Sequence, residues 1–179
     1  MPRLFHRDEW YELISATSML ETEFEQLLVQ YRTVFHPSAW LVPFKKTVLS
    51  ACGSAQADLA LIDPNYREWT VVEVEMNRHS LHGHVLPQVR TLRDGRYGSE
   101  HATYLADRHA FLDCDKLCEM MKGEAPSVLV IVDRSDPEWA RELRREGAQL
   151  MVFETYRSEK LGYIFGVDGE IRSLADHVL

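Results

Sequence analysis

Residues 57–76 read A-D-L-A-L-I-D-P-N-Y-R-E-W-T-V-V-E-V-E-M. Two apolar runs, 57–62 and 69–76, flank the turn-forming Asp63, Pro64 and Asn65, which is the pattern of two strands joined by a tight connection. Side chains alternate across a strand, so Val71, Glu73 and Glu75 project to one face and Val72 and Val74 to the other. Two carboxylates side by side on an apolar strand repel each other, and burial makes the repulsion worse. A bound cation relieves it. Asp58, on the preceding strand, is placed to reach the same face. Three oxygen ligands with room for water describe a site for a hard cation, magnesium or manganese. The competing expectation is a half-exposed strand whose Glu73 and Glu75 simply face water.

Working outward, residues 40–48 read as a further strand, so that three strands form an antiparallel meander, with a turn at Cys52, Gly53 and Ser54. Upstream, residues 8–16 read as a short helix. Ser18 reads as the cap of a second helix, with Glu21 as its capping-box partner. Leu20, Phe24, Leu27, Leu28 and Tyr31 form the buried stripe of that helix, and His36 and Pro37 end it. Downstream, residues 83–94 read as a helix whose first turn begins near Leu86, because Pro87 is tolerated there. Gly95 and Gly98 suggest a flexible loop. Residues 112–122 look helical, and residues 127–132 read as a strand covered on both faces. Residues 136–146 form a helix with Pro137 at its first position and Gly147 after its end. Residues 149–154 and 162–167 are strands, and Asp168-Gly169 is a turn. The expected fold is α/β (α+β): one domain over residues 1–179, with a mixed central β-sheet flanked by helices.

The composition limits the partners. The net charge is −8, which argues against holding nucleic acid by bulk electrostatics alone. Residues 36–98 nevertheless carry seven basic and six acidic side chains, whereas residues 99–179 carry ten and sixteen. The segment with the carboxylates is the least acidic, and the acidic C-terminal half suits a protein partner. No apolar run approaches the roughly 20 residues of a membrane span, and no apolar segment follows the basic N-terminus as in a signal peptide. The expected location is the cytoplasm. Cys52, Cys114 and Cys118 form no regular framework and read as reduced thiols. Trp10, Trp40, Trp69 and Trp139 read as packing residues.

Three motifs occur in order: A-D-L-A-L-I-D with Asp58, V-V-E-V-E with Glu73, and H-V-L-P-Q-V with Gln88. Together they resemble the PD-(D/E)XK nuclease superfamily over roughly residues 20–155. The resemblance implies a restriction-endonuclease-like core. It implies that Asp58, Glu73 and the backbone carbonyl of Val74 hold magnesium or manganese, and that Glu21 or Glu25 is the helix glutamate. Gln88 would hold a water or a phosphate. Ala57 stands where the motif's name has proline, at a position that varies widely. Glu75 stands where the motif has lysine, in the role of orienting a water or accepting its proton. Lys45, Lys46, Arg78 and Arg90 are then the candidates for the missing cation.

The implied activity is metal-dependent hydrolysis of phosphodiester bonds, in DNA, with nucleic acid as partner and targeting supplied by a homodimer or another protein. The alternative is a catalytically inactive nuclease-like module that binds a protein or nucleic acid. His79, His82 and His84 follow the carboxylate strand and could meet a phosphate or a transition metal, but they lack the helical H-x-x-x-H spacing of a zinc site.

Overall fold

The computed structural model describes residues 2–15, 17–35, 38–123, 125–169 and 171. In chain order the elements are β1 (Arg3–His6), β2 (Glu9–Leu13), α1 (Glu21–Gln30), β3 (Trp40–Pro43), β4 (Thr47–Ser50), β5 (Gly53–Gln56), β6 (Leu59–Ile62), β7 (Trp69–Glu75), α2 (Leu86–Arg93), α3 (Ser99–Arg108), α4 (Cys114–Lys122), β8 (Ser127–Val132), α5 (Pro137–Arg145), β9 (Gln149–Ser158) and β10 (Gly162–Asp168). A 3-10 turn, Arg32–Val34, follows α1, and a π-helical turn, Leu81–Val85, leads into α2.

Eight strands build one mixed sheet in the order β1-β2-β9-β8-β7-β6-β3, with β10 paired to β9. The strands β3, β6 and β7 form the expected antiparallel meander. Parallel pairing then joins β7 to β8 and β8 to β9. Parallel neighbours require long crossovers. Here α2, α3 and α4 make the first and α5 the second. The β4–β5 hairpin stands outside the sheet.

Both sheet faces are covered. Val71 packs with Val89 and Leu92 of α2, Leu105 of α3, Leu117 of α4 and Leu143 of α5. Val72 and Val74 pack on the other face with Phe24 and Leu28 of α1. The alternation read from β7 therefore holds, but every residue of the strand is buried. Glu73 is 2% exposed and Glu75 1%, which excludes the water-facing strand. No helix among the described residues is long and apolar enough to cross a membrane.

Several elements differ from their sequence readings for local reasons. Within residues 8–16, the expected helix is the strand β2, hairpinned on β1 through Arg7 and Asp8, both at positive φ. Tyr11 and Leu13 face the core while Trp10 and Glu12 face out, a period of two rather than 3.6. Trp10 is 55% exposed and lies against Phe5, so it is no core residue. Ala16, His36 and Pro37 lie outside the described residues.

The cap of α1 is Leu20, whose N–H donates to the Glu23 carboxylate at 2.8 Å. Ser18 and Glu21 do not form that cap; Ser18 Oγ donates to Ser15 O instead. Residues 40–48 break after Pro43, where the chain leaves the sheet edge and continues into β4 of the separate hairpin. Residues Ala51 and Cys52 make the turn of that hairpin, and Gly53, at φ +139°, opens β5.

The supposed loop at Gly95–Gly98 is pinned. Arg96 N–H donates to Leu49 O at 2.9 Å, and Tyr97 Oη–H donates to Leu92 O at 2.7 Å. A β-carbon on Gly95 would lie 2.4 Å from Val48 Cγ1, so glycine serves here for close approach. The helix α3 that follows had no clear reading in the sequence.

Candidate functional site

The carboxylates of residues 57–76 meet where β6 begins and β7 ends. In the antiparallel register Leu59 faces Val72 and Ala60 faces Val71. Asp58 lies one residue before β6, and its N–H also donates to Val72 O, at 3.2 Å. Asp58 is near enough to Glu73 for its charge to act on that carboxyl.

Each carboxylate oxygen of Asp58 accepts one hydrogen bond from the protein. Its Oδ2 accepts from Val74 N–H at 2.8 Å. Its Oδ1 accepts from Lys45 Nζ at 2.5 Å. Lys45 also donates to Glu25 of α1 at 2.8 Å, so one ammonium bridges two carboxylates. The Lys45 backbone is fixed as well, because its carbonyl accepts from Tyr104 Oη at 2.9 Å and from Gln56 Nε2 at 3.3 Å. Burial lowers the Lys45 pKa, but hydrogen bonds to Asp58 and Glu25, and their charges, raise it overall above the ordinary lysine value. Burial raises Glu25, with the charge of Asp58 adding and Lys45 opposing.

Glu73 is the least compensated group. Its Oε2 is buried and has no hydrogen-bond partner. Burial, then the negative charges of Asp58 and Glu75, push its carboxyl well above the usual range, against the pull of Lys45. The same charge reaches Tyr97, whose phenol is raised first by burial and then by Glu73. Gln88 is half-buried on α2, and its Oε1 is also buried without a partner.

Glu75 has different company. Its Oε2 accepts from His79 Nδ1 at 2.6 Å, and its Oε1 lies 3.4 Å from His84 Nε2. Glu21 stands 3.4 Å from His79 Nδ1. Burial raises the Glu75 carboxyl while the hydrogen bond from His79 and the charges of His84 and His79 pull it down. Among the described residues, the metal-ligating atoms that converge within 4.8 Å of one another as a trio belong to Glu75, His79 and His84, not to Asp58, Glu73 and Glu75. His82 points elsewhere, to Glu138 at 3.2 Å.

Of the four cations read from the sequence, only Lys45 reaches the carboxylate pair. Arg90 is paired with Glu146 at 2.5 Å, Arg78 donates to Met19 O at 3.4 Å, and Lys46 lies over the Tyr104 ring. Glu21 and Glu25, one turn apart on α1, serve different partners: Glu25 serves Lys45 and Glu21 serves His79. The signal for the histidines was their number just after an acidic strand end. Their convergence escaped the spacing rule because the backbone there is a turn followed by a π-helical turn. Cys114 and Cys118, both free, sit on α4, away from these groups. A cleft of 680 Å³ opens at the other end of β7, beside Tyr66, Trp69 and Lys116, and contains none of the site carboxylates.

No protein-family model, curated protein or solved structure matches the chain. The chemistry of the site is therefore read from its own residues.

Proposed function

We propose that the chain is a metal-dependent nuclease that hydrolyses phosphodiester bonds in DNA, built on a restriction-endonuclease-like core. The observation that carries this reading is a buried, unpartnered Glu73 oxygen within the field of Asp58, with Lys45 held against Asp58. The order of a helix, an antiparallel meander, crossover helices and a parallel strand agrees with it.

The residues fit a hard cation, because a buried Glu73 oxygen has no protein partner to stabilise its charge. Asp58, Glu73 and the Val74 carbonyl would hold magnesium or manganese, whose chemistry there is to polarise the phosphodiester and acidify a water. Lys45 supplies the positive charge that the motif position lacks, and Glu25 aims it. It stabilises negative charge building on the phosphate. Glu75, hydrogen-bonded to His79 and close to His84, faces those histidines. Gln88 offers an unspent amide acceptor for a water or, through its NH2, a donor for a phosphate oxygen.

The test is cleavage of plasmid and linear DNA by the purified protein with magnesium or manganese. Cleavage that is lost with chelator, with Asp58→Asn and with Glu73→Gln supports the reading. Cleavage unchanged in both variants, or none with either metal, overturns it. The close Lys45–Asp58 pair favours one second reading, a nuclease-like module whose acid pair is neutralised internally. That reading requires nucleic-acid binding without hydrolysis.

A further inference from the structure

Beyond the nuclease reading lies a second cluster that its chemistry does not use. Glu75 ends β7, His79 occupies the turn after it, and His84 lies in the π-helical turn Leu81–Val85. We propose that Glu75, His79 and His84 form a binding site for a first-row transition-metal dication of the zinc class, separate from the site at Asp58 and Glu73.

The donor set is two imidazole nitrogens and one carboxylate. Magnesium and calcium favour oxygen alone, whereas imidazole suits zinc and its neighbours. The distances fit that ion. Bonds of about 2.0–2.1 Å in a tetrahedral site put neighbouring ligand atoms about 3.3–3.4 Å apart. Glu75 Oε1 and His84 Nε2 already stand 3.4 Å apart. His79 Nδ1 is hydrogen-bonded to Glu75 Oε2 at 2.6 Å and needs to open by less than about 1 Å to reach the same edge length. The two imidazole rings are perpendicular, with centroids 5.8 Å apart, so they approach a common point from different directions.

The surroundings agree. Glu75 is desolvated, which strengthens its attraction for a cation. His84 is half-exposed, which leaves the remaining coordination position open to solvent, as in sites with three protein ligands. Glu21 adds a second carboxylate within 3.4 Å of His79.

The backbone is shaped to present His84. Ser80 O accepts from both His84 N–H and Val85 N–H, and Ser80 Oγ accepts from Gly83 N–H at 3.1 Å. A β-carbon on Gly83 would lie 2.9 Å from that Oγ, so glycine keeps the cap intact. Wide turns of this kind are frequent at functional sites. A metal here ties the end of β7 to the start of α2, and with it the helix that carries Gln88.

Two histidines that merely neutralise a buried glutamate would make the same contacts without binding metal, and titration separates the cases. The full chain, stripped with chelator, is titrated with zinc by calorimetry and with cobalt(II) by visible absorption. One zinc per chain is expected, together with the intense d–d bands of four- or five-coordinate cobalt. His84→Gln and His79→Ala each weaken zinc by at least about 100-fold. His82→Ala and Asp58→Asn leave it within about threefold. Absence of zinc binding overturns the proposal, as does equal affinity in wild type and His84→Gln, or loss of zinc with Asp58→Asn alone. The readout is metal affinity, so failure of DNA cleavage leaves it untouched. Circular dichroism confirms that all four variants remain folded.

Discussion

Lys45 Nζ sits between Asp58 and Glu25, and Glu73 sits beside them with one oxygen unpartnered. This contrast yields two predictions. Replacing Lys45 by methionine keeps the stem and removes the charge. In the nuclease reading, metal-dependent cleavage falls by about 10²–10³, measured in single turnover, because one preorganised transition-state donor is lost. The second concerns stability without metal. The folded-state pKa of Glu73 is raised above its ordinary value of 4.5. The folded protein therefore holds a proton that the unfolded chain gives up, and stability falls as pH rises from about 4.5 toward the folded pKa. Glu25 and Glu75 are shifted in the same direction. In chelator, Glu73→Gln is expected to be more stable than wild type at pH 8, by about 2–4 °C in Tm. The gain should shrink toward pH 4.5. Urea denaturation at the two pH values checks the sign; an equal gain at both would show that the buried charge is not its source.

At the scale of elements, close approach and exposure decide which substitutions are felt. The connection from α2 to α3 is held against β4 at Gly95. Val48 is β-branched and fully buried, so its Cγ1 has little freedom to yield to a new β-carbon. Gly95→Ala is expected to cost about 1–3 kcal/mol in urea unfolding. The β1–β2 hairpin gives a paired test. Trp10→Ser, on the exposed face, should change stability by less than about 0.5 kcal/mol. Tyr11→Ala, on the buried face, should cost about 3–5 kcal/mol. If the two costs were reversed, the register of the hairpin would be wrong by one residue.

Over the whole molecule, charge is distributed unevenly. The chain carries −8, yet residues 36–98 carry a slight positive excess. Few phosphates can then be neutralised by each protein. The dependence of log K on log salt for a DNA duplex should be shallow, with a slope magnitude of about 3 or less, since each phosphate contact contributes about 0.9. A steep slope would require a basic surface that the charge distribution does not provide. The same scale explains why the centre of the sheet was readable: after Ser127, β8 is all Val, Leu and Ile between layers of helices, so burial on both faces is written in its composition.

How much of the site was legible varies residue by residue. The sharing of a face by Glu73 and Glu75 followed from the two-residue period of a strand. The meander followed from apolar runs separated by turn formers, and α5 from Asp136, Pro137 and Gly147 at its ends. Short-range rules of this kind failed at residues 8–16, where a five-residue strand looked like a helical turn, and at α3, whose stripe is weak. Lys45 was one of four equivalent cations. Nothing local distinguishes it, because its partners Asp58 and Glu25 lie 13 and 20 residues away. His79 and His84 were judged by α-helical spacing, and the π-helical turn has a different period. Local period and turn chemistry were enough to read β6 to β10, the two faces of β7 and carboxylates that need a counter-charge. That Lys45 answers Asp58, that one Glu73 oxygen is left without a partner and that Glu75 lies with two histidines came from tertiary packing. Those pairings depend on strand register and on how helices and turns close over the sheet, and no spacing along the chain encodes them.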